Sequence, residues 1–334
     1  MLETALRDTR FTLAHVPAQR ATFADDVRSG LMASPKLLLP QYFYDALGSA
    51  LFGAICELPE YYVTRAETEI FRSCSREIAS ELGAGVRLIE LGSGNARKTR
   101  ILFDAILAGQ ESFDYIGIDI DPSVVASLQR DLSRQYPRIR MTPVAGDFFD
   151  IDKTLGPVVS GGDGIRSVVL FIGSTIGNLG PSEADAMLAR IRRFLREGDG
   201  LFLGTELIKA QGVLEDAYDD PTGVTSAFNL NMLGRMNREL GTNFDLRSFR
   251  HRAFYNEQLR RIEMHIVSNK AQLVRIDALG WSAGFAEGET IHTENSYKFD
   301  EASIASLAER TGFRVQRTWM DSKRYFADTL LIAV

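Results

Sequence analysis

Cysteine is nearly missing from these 334 residues: Cys56 and Cys74 are the only two, and neither belongs to a C-x-x-C pair. A disulfide framework is therefore excluded, and a reducing cytoplasm is the expected compartment. Histidine is almost as scarce. The four, at positions 15, 251, 265 and 292, show none of the close spacings that mark a zinc site, so no metal is expected. A basic excess is lacking too, with 38 Lys+Arg against 44 Asp+Glu and a formal net charge of -6. Nucleic-acid binders draw much of their affinity from neutralising phosphates, so an acidic chain without a basic stripe argues against that class. No long uncharged apolar run is present to span a membrane. The charged, interrupted start MLETALRDTRFTLAHV is not a signal peptide. Repeats, low-complexity tracts and blocks of like charge are absent as well. What remains, 45% hydrophobic and 25% charged residues, is the ordinary composition expected of a soluble globular enzyme. Oligomeric state is written in no motif.

The middle of the chain alternates short apolar runs with helical patterns. VRLIELGSG (86–94) reads as a buried strand entering a glycine turn, followed by helical spacing of Ile101, Leu102, Ala105 and Ile106. YIGIDI (115–120), IRMTPVAGDFF (139–149), SVVLFIGSTIGN (167–178) and GLFLGTEL (200–207) read as further strands. PSVVASLQRDLSRQY (122–136) and PSEADAMLARIRRFLREG (181–198) read as helices opened by proline. This alternation predicts an α/β fold, a doubly wound sheet covered on both faces. After Leu207 the rhythm stops, and period-2 stretches such as RIEMHIVS point to antiparallel strands. It resumes with EASIASLAERTGF (301–313), and the last two strands, separated only by SKR, read as an antiparallel pair. The expected organisation is a first domain from 62–207 and 298–334, and a second, α+β substrate-binding domain from 1–61 and 208–297.

ELGSGNARKTR (90–100) is the sharpest local signal. Gly92 and Gly94 permit close backbone approach at a strand-to-helix turn, where N–H groups face a ligand. Both phosphate-directed fingerprints fail at the same residue: Arg97 stands where the NTPase loop and the dinucleotide turn each need their last glycine. Asp119 lies at the end of the second strand, where a doubly wound sheet places a carboxylate on ribose hydroxyls, and Asp147 follows the third. A glycine turn with two such carboxylates and no pyrophosphate requirement suits a nucleoside ligand, S-adenosylmethionine.

With these motifs in view, the whole chain resembles the histidine-specific N-alpha-methyltransferases of ergothioneine biosynthesis. The likeness is carried by QYFYDALGSALFGAICELPEYYVTRAE (41–67), ELGSGNARKTR, GIDIDPS, FIGSTIGN, AYDDPTGVTSAFNLNML, RIEMH and HTENSYKF (292–299). It implies trimethylation of the α-amine of L-histidine. It also implies that Gly92, Gly94, Lys98, Asp119 and Asp147 contact the cofactor, with Lys98 beside the methionyl carboxylate. The substrate is then expected against Tyr44, Phe52, Tyr61, Gly173, Asn178, Tyr218, Met264, Glu294 and Ser296. Asn178 and Tyr218 can donate to its carboxylate, while Glu294 and Ser296, two apart on a strand, can bond the two ring nitrogens. Tyr44 is the candidate catalytic residue, accepting a hydrogen bond from the amine or relaying its proton. Two alternatives stay open: a methyltransferase for another amino acid or small amine, and a catalytically silent ligand-binding homologue.

Overall fold

The computed structural model describes residues 22–154, 156 and 164–334; the expected second domain's stretch before residue 22, with His15, lies outside them. Thirteen strands follow along the described chain. They are β1 (Lys36–Leu37), β2 (Val86–Leu91), β3 (Phe113–Asp119), β4 (Ile139–Ala145), β5 (Arg166–Phe171), β6 (Gly200–Glu206) and β7 (Phe249–Asn256). Then come β8 (Arg261–Ser268), β9 (Gln272–Ile276), β10 (Trp281–Phe285), β11 (Thr290–Tyr297), β12 (Phe313–Met320) and β13 (Phe326–Ala333).

Seven of them form one sheet in the order β12-β13-β6-β5-β2-β3-β4. β2, β3, β4, β5 and β6 are parallel, whereas β13 runs antiparallel to both β6 and β12. The apolar runs that suggested strands are the central ones: every residue of β2, β6 and β13 is buried, as two-sided coverage requires. Proline and acidic caps start the covering helices where expected. Asp121 accepts from the Ser123 N–H ahead of Pro122–Gln135, and Asp300 accepts from Ser303 ahead of Glu301–Arg310. The predicted doubly wound sheet with its terminal antiparallel pair is thus what the chain forms.

The chain leaves this sheet after Glu206 and builds a second one, β1-β11-β8-β7, with β9 and β10 as a separate hairpin. The helix Val224–Leu240 packs on β7 and β8, and the helix Ala46–Ile55 packs on that helix. β1 pairs with β11, so Lys36–Leu37 joins the insertion's sheet, while the helix Val63–Leu82 packs on β13 and β12 of the large sheet. One contiguous buried cluster runs through both sheets, from Val27 and Phe43 through Met232 and Met264 to Val86 and Leu330.

The sheets meet at a short 3-10 turn, Thr175–Asn178, lodged between β6 and β11. A Cβ on Gly177 would stand 2.9 Å from the Tyr297 carbonyl oxygen and 3.4 Å from its nitrogen, both backbone atoms that cannot swing away. Gly177→Ala is therefore expected to cost about 1–3 kcal/mol of stability, which urea denaturation of the two proteins side by side will show.

Candidate active site

β2 lies between β3 and β5, the point where the strand order reverses and where doubly wound sheets open a crevice at their carboxyl ends. Gly92 and Gly94 sit there with φ of 74° and 50°, a conformation that glycine adopts without strain. The Gly92 and Ser93 N–H groups both donate to the Ile118 carbonyl, at 2.8 and 2.9 Å. Asp119 closes the turn from β3: its carboxylate accepts from the Gly94 N–H at 3.0 Å and the Asp121 N–H at 3.1 Å. A Cβ on Gly94 would meet nothing within 4 Å, so the turn looks onto open space. Phe148 lines the other side, its ring 3.5 Å from where a Gly92 Cβ would be, while Asp147 accepts from the Phe149 N–H at 2.8 Å. Arg97, the residue that spoils the phosphate fingerprints, points outward to Glu57 at 2.9 Å.

Lys98 is less free than its place in the turn suggested. Its Nζ donates to the fully buried Glu67, whose second oxygen accepts from the Gly173 N–H at 2.7 Å. Burial alone would lower the Lys98 pKa, but Glu67, Asp328 and Glu90 override it and hold the ammonium charged. Asp328 is pushed well above the usual carboxylate range by burial and by Glu67. Glu90 rises to about 7 through burial, even though the Tyr115 hydroxyl at 2.5 Å and the Thr99 hydroxyl at 2.8 Å donate to it. One cation thus serves three buried carboxyl groups, and about a fifth of the Lys98 side chain remains open toward the crevice beside Gly173.

A second charged centre begins at the next residue of the same loop. Ser174, held at φ 58°, accepts the Glu206 N–H at 2.9 Å. The Glu206 carboxylate is wholly buried and takes donors on both oxygens: Tyr62 and Lys209 on one, Lys298 at 2.6 Å and Tyr218 at 3.2 Å on the other. Burial pushes its pKa up, but Lys298 and Lys209 outweigh that and bring it to about 2. Burial lowers Lys209 to about 8 and also lowers Lys298. Lys298 further donates to the Ser296 hydroxyl at 2.7 Å, which lies 2.8 Å from the Tyr218 hydroxyl.

Above this centre stands a chain of aromatic rings. Tyr44 meets Phe52 edge-on at 5.7 Å, Phe52 meets Tyr61 at 6.2 Å, and Tyr61 meets Tyr218 at 6.2 Å. Phe228 closes the group at 5.8 Å from Tyr44 and 6.0 Å from Phe52. Tyr44 as a residue is 44% exposed, yet burial of its phenol group, followed by Glu294, pushes the phenol pKa up and keeps it protonated. Glu294 and Ser296 lie on one face of β11 with Met264 opposite Glu294, and no hydrogen-bond or ion-pair partner among the described residues holds the Glu294 carboxyl. Burial raises its pKa to about 7, against the pull of Lys298. Asn178, half-buried, ends the turn that packs on β11. The expected substrate residues Tyr44, Phe52, Tyr61, Tyr218, Met264, Glu294 and Ser296 are therefore brought together in one group, and Gly173 and Asn178 belong to the loop after β5 that packs beside it.

Sequence reasoning missed Glu67, Glu206, Lys298 and Phe228. Glu67, Lys298 and Phe228 lie in stretches quoted for the family resemblance, and Glu206 sits in a run that reads as a plain strand. Linear spacing also hid a cross-strand group: Glu263, His265 and His292 bring ligand atoms within 4.8 Å of one another. Glu263 is already engaged there, by Arg261 at 2.7 Å, Asn256 at 2.9 Å and His265 at 3.1 Å. Surface hollows of about 270 Å³ beside Lys209 and 300 Å³ beside Arg76 contain none of the expected site residues. No helix among the described residues is long and apolar enough to cross a membrane.

A family model described as "Histidine-specific methyltransferase, SAM-dependent" matches residues 23–333. The chain is 44% identical to the Histidine N-alpha-methyltransferase of Mycolicibacterium smegmatis, over 92% of this chain and 94% of that one. It is 41% identical to the Histidine N-alpha-methyltransferase of Mycobacterium tuberculosis, over 91% and 93%. A segment covering 68% of this chain is 30% identical to Ergothioneine biosynthesis protein 1 of Neurospora crassa, of which it covers 27%.

Two outcomes are expected from this arrangement. Asp119→Ala removes the carboxylate that closes the turn and should weaken S-adenosylmethionine binding by about tenfold or more, as titration calorimetry will read. Lys98→Met strands Glu67 without its cation and should cost roughly 3–5 kcal/mol of stability near neutral pH. That loss should shrink as pH falls, because protonating the stranded carboxylate removes the unpaired charge.

Proposed function

The chain belongs to the histidine-specific, S-adenosylmethionine-dependent methyltransferase family, and from that premise we propose that it trimethylates the α-amine of L-histidine. The product is the betaine hercynine, and the reaction is the first step toward ergothioneine. The observation that carries the choice of substrate is the Glu294 carboxyl, turned into an aromatic cleft with no partner of its own among the described residues.

The crevice fits the cofactor: open space faces Gly94, and Asp119 stands at the carboxyl end of β3 beside it. Gly92, Gly94, Asp119 and Asp147 are proposed to hold the nucleoside, and the exposed part of Lys98 the methionyl carboxylate. When bound, S-adenosylmethionine supplies a methyl group on a sulfonium already activated for displacement. The chain's own part is then positioning and proton control. Residues 62–207 and 298–334 are proposed as the cofactor-binding part, and residues up to 61 with 208–297 as the substrate-binding part.

Neutral imidazole offers one N–H and one bare nitrogen. An ionised Glu294 accepts from the first. Ser296 serves the second, because Lys298 donates to its oxygen and its own proton can turn from the Tyr218 hydroxyl, 2.8 Å away, to the ring. Asn178 is proposed to donate to the substrate carboxylate, and Tyr218 to join it by turning its one proton from Glu206 to the ligand, with Met264 and Tyr61 packing the body of the ligand and Gly173 leaving room beside it. A protonated amine has no lone pair to attack with, and a half-buried aromatic cleft disfavours an ammonium. Tyr44, held protonated, can accept a hydrogen bond from the amine through its oxygen but is not available as a phenolate base. The Tyr44 and Phe52 faces suit the methylated cation that accumulates after each transfer.

Incubating the protein with S-adenosylmethionine and a pool of free amino acids should give mass shifts of up to three methyl groups on histidine alone. Methylation of another amine instead would overturn the substrate. Because Glu294 carries its charge only above about pH 7, kcat/KM for histidine should rise with pH through that value. Glu294→Gln should remove this ionisation and raise KM for histidine about tenfold or more, with cofactor affinity kept; a wild-type KM in that variant would sink the imidazole-reading role.

A further inference from the structure

β11 departs from regular pairing at one place. His292 pairs with His265 and Glu294 with Met264, so Thr293 is an extra residue, a bulge immediately before the carboxyl that faces the cleft. Continued pairing from His292 would put Thr293 opposite Met264 and Glu294 opposite Glu263, on the face that carries His265 and His292. The bulge instead turns Thr293 and Glu294 inward in succession, a way in which strands re-aim a side chain beside a site.

What holds the bulge is a buried relay of hydrogen bonds. The Thr293 hydroxyl donates to Asn229 Oδ1 at 2.9 Å and lies 3.1 Å from the Met264 carbonyl. Asn229, fully buried on the helix Val224–Leu240, donates from Nδ2 to the His265 carbonyl at 3.1 Å and to His251 Nδ1 at 2.8 Å. His251 must then carry its proton on Nε2, which donates to the Tyr218 carbonyl at 2.8 Å. Burial lowers the His251 pKa and favours the neutral ring this arrangement needs. Asn229 spends both N–H donors and one of the two lone pairs on its oxygen, so no donor is left over for a ligand.

The geometry points to Asn229, with Thr293 and His251, as a set of positioning residues that fix Glu294 and Tyr218 relative to each other and so set selectivity for the substrate's ring and carboxylate. This inference rests on the reading of Glu294 and Tyr218 as substrate contacts given above. None of the three residues needs to touch the substrate. Their contribution enters through the spacing of the two contacts, to which a hydrogen-bonded ligand is sensitive.

Thr293→Val keeps the shape of the side chain and deletes the hydroxyl that anchors the bulge. It is expected to raise KM for histidine about tenfold while leaving S-adenosylmethionine affinity within about twofold, and Thr293→Ser is expected to restore most of the loss. In a Glu294→Gln background the Thr293→Val change should have little further effect on KM, since the two act through one contact. Wild-type KM in Thr293→Val, equal damage from Val and Ser, or full additivity with Glu294→Gln would each overturn the inference. If Thr293→Val loses cofactor binding, and with it the fold, Asn229→Ala measured in the same way replaces it. The two readings fail separately: an unaltered KM in Glu294→Gln rejects the substrate site itself, whereas an altered one beside an inert Thr293→Val rejects only the relay.

Discussion

The cleft is organised around one buried negative charge. Glu206 ends a central strand, and its partners come from everywhere else: Tyr62 from the start of a covering helix, Ser174 from the loop after β5, Lys209 and Tyr218 from the insertion, Lys298 from the end of β11. A carboxylate with no exposure is tolerable only when such donors are in place. Docking the insertion onto the large sheet is therefore a condition for burying this charge. Two ammonium groups against one carboxylate leave the centre locally positive, which is part of why Lys209 falls to about 8. The same geometry orients the Ser296 hydroxyl, so the ion pair reaches the face of β11 that carries Glu294 through a single hydrogen bond.

The large sheet was legible because its cues are local. Apolar runs of strand length, proline at helix starts and a three-residue link between the last two strands each have one physical reading, and the glycine turn with Asp119 lies within one βαβ step. The cleft was not legible from residue patterns. Glu206 sits in an apolar strand, and its partners Tyr62 and Lys298 are 144 and 92 positions away. Glu294 and Ser296 came into view only through the family resemblance, because a polar stretch such as HTENSYKF also suits the rim of a sheet. The bulge at Thr293 breaks the period of two, so alternation counted from His292 assigns Glu294 to the wrong face. Lys98 was placed in the right turn, but its pairing with Glu67 depends on a helix packed from outside that turn.

The two ionic centres differ in a way that matters for chemistry. Around Lys98 the carboxyl groups outnumber the cation, and Glu90 and Asp328 respond by holding their protons more tightly. Around Glu206 the cations outnumber the carboxylate, and the response is a strongly acidic glutamate and weakened lysines. Glu294 stands beyond both, close enough to Lys298 to feel its charge and too far to bond it.

The buried cluster that runs unbroken beneath both sheets limits how this molecule can breathe. A hinge that swung the smaller sheet away would expose Phe43, Met232 and Met264 to water together, at a cost that grows with every side chain uncovered. Traffic into and out of the cleft then falls to its outer lip. Tyr44 and Leu47, 44% and 51% exposed at the head of the helix Ala46–Ile55, already stand partly in water, and moving them uncovers little of the core.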